Sequence, residues 1–190
     1  MKKHLPLYIE LLGMFKRGLP EAAGPSSPMS SWQFFIPLAP NLKTAQFSGE
    51  FKALRAGGAV IKKESALKVL MASDAAVIAS GTATLQAALL EKPFTVIYKV
   101  SPITYYIAKA LVKVKYASLV NIMSGGQGVK EFLQKDARPD KIMAELRELI
   151  GNPVYREDML SRFRAVKAAF EGKSASRRVS ELVCRMAEWK

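Results

Sequence analysis

Short apolar runs alternate with amphipathic stretches along this chain. Lys3 to Lys16 carries Leu5, Ile9, Leu12 and Met14–Phe15 at roughly helical spacing, with Pro6 near the start, and predicts a helix. Trp32 to Leu38 reads as a strand closed by Pro37 and Pro40, and Asn41 opens a helix to about Leu54. Gly57-Gly58 is a turn before a short strand, Ala59-Val60-Ile61, and Ser65 to Ala72 is a short helix. Ala75 to Ala79 is apolar on both faces, the pattern of a buried strand in a parallel sheet. Ser80-Gly81-Thr82 breaks it, Ala83 to Leu90 has helix-forming composition, Lys92-Pro93 ends that helix, and Phe94 to Tyr98 is a second buried strand. Asp74 to Tyr98 is therefore one βαβ unit, and the order of elements predicts an α/β fold, a parallel sheet flanked by helices.

The second half is less regular. Ser101-Pro102 signals a helix start, and Ile103 to Val112 is the most apolar helical stretch. Tyr116 to Leu119 reads as another short strand, Asn121 to Gly128 as a polar, glycine-rich segment, and Val129 to Gln134 as a short helix. Pro139 to Ile150 is a clearer helix. Pro153 to Phe170 and Ser174 to Trp189 read as closing helices, so we divide the chain into a domain over 1–152 and a helical end over 153–190. A surface loop is expected at Gly24-Pro25-Ser26-Ser27-Pro28.

Within the βαβ unit a ligand belongs at the carboxyl end of the first strand, beside the helix N-terminus. Ser80, Gly81, Thr82 and Thr84 occupy that place. Backbone N–H groups with small hydroxyl neighbours suit a phosphate. An ordinary glycine turn with a threonine cap fits the same residues, and these residues do not choose between the two.

The chain has 190 residues and is 49% hydrophobic, enough for one α/β domain with a sizeable core. A single cysteine, Cys184, excludes an internal disulfide and a cysteine zinc site and fits a reducing compartment. The single histidine, His4, sits on the first predicted helix and argues against a histidine metal cluster or triad. No metal or cofactor is expected. The net charge of +13 implies an anionic partner. From Lys92 to Lys130 there is no Asp, Glu or Arg, while Lys92, Lys99, Lys109, Lys113, Lys115 and Lys130 are present. Lys99, Lys109, Lys113 and Lys115 form a candidate anion or membrane surface, since the apolar stretch Ile103–Val112 followed by lysines also fits an element lying on a membrane. A core helix with solvated lysines is the alternative. A nucleic-acid partner is not expected, because no recognition motif accompanies the charge. With no apolar run of transmembrane length and no signal-peptide cleavage site, the sequence reads as cytoplasmic.

Several motifs, in order, resemble the lipid-A-disaccharide synthase family. They are Ala72-Ser73-Asp74-Ala75-Ala76 into Ala79-Ser80-Gly81-Thr82-Ala83-Thr84-Leu85, Tyr98-Lys99-Val100-Ser101-Pro102-Ile103-Thr104-Tyr105, and Leu111-Val112-Lys113-Val114 with Tyr116 and Ser118-Leu119. Asn121, Lys130-Glu131 and Phe132-Leu133-Gln134 continue the match, as do Pro37-Leu38-Ala39-Pro40 and Ser174-Ala175-Ser176-Arg177. The resemblance implies the C-terminal half of a two-domain GT-B glycosyltransferase, Rossmann-like, transferring without a metal. Such an enzyme moves 2,3-diacylglucosamine from UDP to 2,3-diacylglucosamine 1-phosphate, at the inner face of the inner membrane. It implies that Ser80, Gly81 and Thr82 face the UDP diphosphate with Thr84 beside them. Position 86 points to the ribose, Asn121 borders the uracil or donor sugar, and Glu131 and Gln134 lie near the same cleft. The catalytic base and much of the acceptor site would belong to an N-terminal half. A homodimer through exchanged C-terminal helices is a further expectation.

The chain also departs from the family. Gln86 stands where the family usually has Glu. A carboxylate accepts from both ribose hydroxyls, whereas an amide accepts with one oxygen only. Charged hydrogen bonds contribute about 1.5–3 kcal/mol against about 0.5–1.5 for neutral ones, so nucleotide affinity should fall roughly tenfold. Val120 replaces a frequent Pro, and Ser124-Gly125-Gly126-Gln127-Gly128 replaces a charged loop. These departures leave a non-catalytic nucleotide-binding or membrane-peripheral remnant as the alternative function.

Overall fold

A computed structural model describes residues 3–16, 32–39, 41–101, 116–126, 128–170, 180–181 and 183–186. The predicted loop at 24–28, the helix Ile103–Val112 and most of Ser174–Trp189 lie outside them; Ser180–Glu181 and Val183–Met186 are helical.

The order of elements is α1 (Leu5–Lys16), β1 (Phe34–Leu38), a 3-10 turn (Thr44–Phe47), α2 (Ser48–Ala56), β2 (Ala59–Lys63), α3 (Ala66–Ala72) and β3 (Ala76–Ala79). Then follow α4 (Thr82–Leu89), β4 (Phe94–Tyr98), α5 (Leu119–Met123), β5 (Glu131–Leu133), a 3-10 turn (Gln134–Asp136), α6 (Pro139–Gly151) and α7 (Pro153–Phe170). All ladders are parallel. β1 pairs with β2, and a second sheet has the order β3-β4-β5. This is the α/β architecture that the alternating pattern predicts, and it is consistent with a Rossmann-like domain.

Helices cover both faces. Along β4, Phe94 and Val96 point to one side, into a cluster with Leu70 of α3, Ala87 and Ala88 of α4, Val120 of α5 and Phe163 of α7. Ile97 points to the other, toward Leu7 and Leu11 of α1 and Ile142, Met143 and Leu146 of α6. The buried stripe Ile142, Met143, Leu146, Leu149 gives α6 its packing face, and Pro139 starts it where a missing N–H costs nothing. α1 has two working faces. Leu5 and Leu12 join Leu38, Phe47, Phe51, Leu54 and Ala59 in a third cluster around β1, β2 and α2.

Two expected elements are corrected. Tyr116–Leu119 is not a strand: residues 116–118 are irregular and Leu119 opens α5, because the Ser118 hydroxyl accepts from the Asn121 N–H and caps a helix there (3.3 Å). Val129–Gln134 is not a helix: Glu131–Leu133 is β5, paired with Val96–Tyr98. The composition Glu-Phe-Leu-Gln favours helix, but the open edge of β4 needs a ladder partner, and pairing overrides propensity. The helix expected from Asn41 begins later, as a 3-10 turn at Thr44.

Helix α7 belongs to the core of this sheet. Phe163 and Phe94 are both fully buried and stack with ring centroids 5.3 Å apart. Phe163→Ala should lower stability by about 3–5 kcal/mol, read as a fall in the urea midpoint at unchanged slope.

Candidate functional site

The carboxyl ends of β3 and β4 gather the chemistry. The Ser80 N–H extends the ladder to the Ile97 carbonyl (3.1 Å). Gly81 follows with φ 153° and ψ −167°, a conformation that side chains disfavour, and a Cβ built there would meet nothing within 4 Å among the described residues. The turn is thus a bend of the backbone that no other described residue crowds. Thr84 locks it from behind: it is fully buried, and its N–H and its hydroxyl both donate to the Gly81 carbonyl (3.1 and 2.7 Å). Helix α4 then starts at Thr82, whose first amides have no intrahelical acceptor. Thr82 and Gln86, one turn apart, are exposed.

A bracket of hydrogen bonds holds the neighbouring loop. The Ser80 hydroxyl donates to the Ala117 carbonyl (2.6 Å). The Ala117 N–H donates to one Glu131 oxygen (2.7 Å), and the Ser118 N–H, the Ser118 hydroxyl and Asn121 Nδ2 donate to the other (2.9, 2.8 and 2.7 Å). A carboxylate has about four acceptor sites, so Glu131 is saturated from within the protein. Asn121 is fully buried and equally occupied. Its Nδ2 also reaches the Val129 carbonyl, and its Oδ1 accepts from the Val129 N–H, each at 2.9 Å. Asn121 thereby pins both ends of the glycine-rich loop.

At the end of β4, the Lys99 N–H donates to His4 Nε2 and the Val100 N–H to Gln134 Oε1, both at 3.3 Å. Burial, and then the nearby charges of the N-terminus and Lys99, hold the His4 pKa below its ordinary value, which keeps the acceptor nitrogen unprotonated. Gln134 adopts φ 49°, and its Nε2 is a buried donor without an acceptor among the described residues. Lys130 is not a free cation of the lysine run. Its Nζ lies 2.6 Å from the buried Glu145 carboxylate, which also accepts from the Tyr155 hydroxyl (2.8 Å). The Glu145 hydrogen bond raises the Lys130 pKa, and burial with the same carboxylate raises Tyr155 to about 12.

A sequence model of the lipid-A-disaccharide synthetase family matches residues 17–183. The chain belongs to that family. It is 35% identical over 183 residues to the lipid-A-disaccharide synthase of Anaeromyxobacter dehalogenans, which covers 96% of this chain and 45% of the relative. The Myxococcus xanthus lipid-A-disaccharide synthase is 32% identical, covering 92% of this chain and 46% of its own length. That of Acinetobacter baylyi is 42% identical over 105 residues, 55% of this chain. The chain spans about half the length of the first two relatives.

Apart from Gln134, whose Oε1 accepts from the Val100 N–H at the end of β4, the residues that the family resemblance selected fall into two groups. Ser80, Gly81, Thr82 and Gln86 line the open turn and the exposed start of α4, with Lys99 at the end of the next strand. Thr84, Asn121 and Glu131 lie behind it, their polar atoms engaged by protein. Lys109, Lys113 and Lys115 lie outside the described residues. Among the described residues no group of three or more His, Cys, Asp or Glu could hold a metal ion, and no helix is long and apolar enough to cross a membrane. Two participants were not foreseen. Ser118 carried a readable capping signal that the strand assignment hid. His4 carried none, since its partner, Lys99, is distant in sequence.

Glu131→Gln replaces one acceptor oxygen by a donor facing N–H groups. It should cost about 1–3 kcal/mol in urea denaturation, while Glu131→Asp, which keeps the charge, should cost less.

Proposed function

We propose that this chain is the nucleotide-sugar-holding half of a glycosyltransferase of lipid A synthesis, with a body over 1–152 and closing helices over 153–190. The enzyme moves 2,3-diacylglucosamine from UDP to 2,3-diacylglucosamine 1-phosphate. The observation that carries the reading is the Gly81 turn. It lies at the carboxyl end of a parallel strand, is uncrowded among the described residues, and presents the start of α4.

Each residue then has a role. The amides at Gly81 and Thr82 hold the diphosphate, because helix-terminal N–H groups stabilise negative charge without reorganising. Lys99 adds positive charge to the same side. Gln86, one turn on, meets the ribose hydroxyls. Ser80 and Thr84 shape the turn; Asn121 and Glu131 hold the loop against which the uracil or donor sugar rests. Gln134, whose Oε1 accepts from the Val100 N–H, supports the end of β4 beside the same cleft. The reaction is a displacement at the anomeric carbon with inversion: a base deprotonates the acceptor hydroxyl, the new C–O bond forms, and UDP leaves with the bonding pair onto the turn amides. The base and the acceptor site belong to the other half of the enzyme. The donor and acceptor are lipids, so we place the protein in the cytoplasm, peripheral on the inner membrane, with Lys99, Lys109, Lys113 and Lys115 toward the anionic surface. Pairing of two copies through the 153–190 helices is part of the same proposal.

Calorimetric titration with UDP tests it. The chain should bind UDP in the millimolar range or tighter. Gly81→Asp should weaken binding by at least roughly tenfold, since it strains the backbone and sets a negative charge in the anion's place. Gln86→Glu should tighten it roughly tenfold. Absence of UDP binding by the folded chain overturns the reading.

A further inference from the structure

Strand β4 runs out of ladder before the chain leaves the site. Its register with β3 ends at Ile97 and Ala79, and its register with β5 ends at Tyr98 and Leu133. The next two amides find side chains instead. The Lys99 N–H donates to His4 Nε2 and the Val100 N–H to Gln134 Oε1, each at 3.3 Å. Gln134 directly follows β5, so its bond extends that edge locally. The bond to His4 is of another kind: it spans 95 residues of sequence and joins elements that share no ladder.

The packing of α1 carries the imidazole there. The His4 carbonyl accepts from the Tyr8 N–H (3.1 Å), so His4 is already in phase with the helix. His4, Leu7 and Leu11 are spaced i, i+3 and i+7 and share one helix face. Leu7 and Leu11 are buried in one cluster with Ile97. The face of α1 that packs on Ile97 thus ends in a hydrogen-bond acceptor at the Lys99 amide. An accepting Nε2 is unprotonated, and a neutral imidazole then carries its proton on Nδ1. The bond therefore fixes both the charge and the tautomer of the ring.

Lys99 is the group that this bond controls. The Ile97 carbonyl, which receives the Ser80 N–H at the Gly81 turn, belongs to the same strand end. None of the ion pairs among the described residues uses Lys99, whereas Lys130 of the same acid-free run is taken by Glu145. A lysine is a point charge on a flexible stem, so its charge is placed only as well as its backbone is held. Past the end of the ladder, the hold on the Lys99 amide is the bond to His4.

We infer that His4 is a positioning residue of the anion site: by accepting from the Lys99 N–H it fixes the backbone from which the Lys99 side chain reaches the diphosphate, and it does not touch the ligand itself. The inference rests on the nucleotide reading above and adds to it a residue from the start of α1.

Calorimetric titration of the whole chain with UDP tests it. His4→Ala removes the ring and its acceptor, His4→Phe keeps a ring without an acceptor, and His4→Gln returns an acceptor oxygen. One neutral hydrogen bond corresponds to roughly twofold to tenfold in affinity, so His4→Ala and His4→Phe should weaken UDP binding by that factor. His4→Gln should bind as the parent chain does. In a Lys99→Met chain the same His4 substitutions should have no further effect, because they act through Lys99. The urea midpoint of each variant separates this from a role in stability alone, which would lower the midpoint and leave UDP affinity where it was. The chain has one histidine, so its ring signals in proton–nitrogen NMR are unambiguous. They should show Nδ1 protonated and Nε2 unprotonated, both before and after UDP is added. Four results overturn the inference. They are unchanged UDP affinity in His4→Ala and His4→Phe, equal losses with and without the Lys99 side chain, no recovery in His4→Gln, and protonation of Nε2 on adding UDP, which would make His4 a direct ligand of the phosphate. If the parent chain binds no UDP, the nucleotide reading falls and this inference with it. If the parent binds and the His4 variants bind equally well, this inference alone falls.

Discussion

Strand β4 has to satisfy two edges and two faces at once, and most of the described structure follows from that. Its backbone pairs with β3 on one side and β5 on the other. Its alternate side chains fill two different helical layers, Phe94 and Val96 in one and Ile97 in the other. A strand so enclosed cannot shift register without moving large apolar groups into the wrong layer. Its carboxyl end is therefore a fixed point. Ser80 is tied to it through Ile97, His4 through Lys99, and Gln134 through Val100.

The candidate site is built outward from that point in two shells of different character. The open shell is backbone: the Gly81 bend and the first amides of α4. The closed shell is a network in which Glu131 and Asn121 use their polar atoms on protein partners. Saturated buried networks rigidify what they hold. A nucleotide would meet amides whose positions are already determined, with little ordering left to do on binding.

Much of this was legible in the sequence. The βαβ unit Asp74–Tyr98 stood out because apolar β-branched runs, a small-residue break and a helix-forming stretch agree with one another at every level. The glycine turn was visible because only a few residue types tolerate such a bend. The region after Tyr116 was misread because local pattern and tertiary demand conflict there. Glu-Phe-Leu-Gln became a strand because β4 lacked a partner, and Ser118-Leu119 became a helix start because the Ser118 hydroxyl caps it. The division of labour among site residues was not legible either. Spacing and family resemblance bring Glu131, Asn121 and Gly81 together, but only hydrogen-bond partners show which of them remain free for a ligand. Nor does sequence reveal that β1 and β3, apolar on both faces, stay only partly buried among the described residues.

The central claim is that the open backbone shell, not the saturated side chains, receives a nucleoside diphosphate. A proton–nitrogen NMR titration of the isotope-labelled chain with UDP tests it most directly. The account predicts saturable shifts concentrated at the amides of Gly81, Thr82 and Ala83 and at the side-chain amide of Gln86, with the Asn121 side-chain amide essentially unmoved. Saturable shifts centred on Asn121 and the glycine-rich loop, with the Gly81 turn silent, would contradict it.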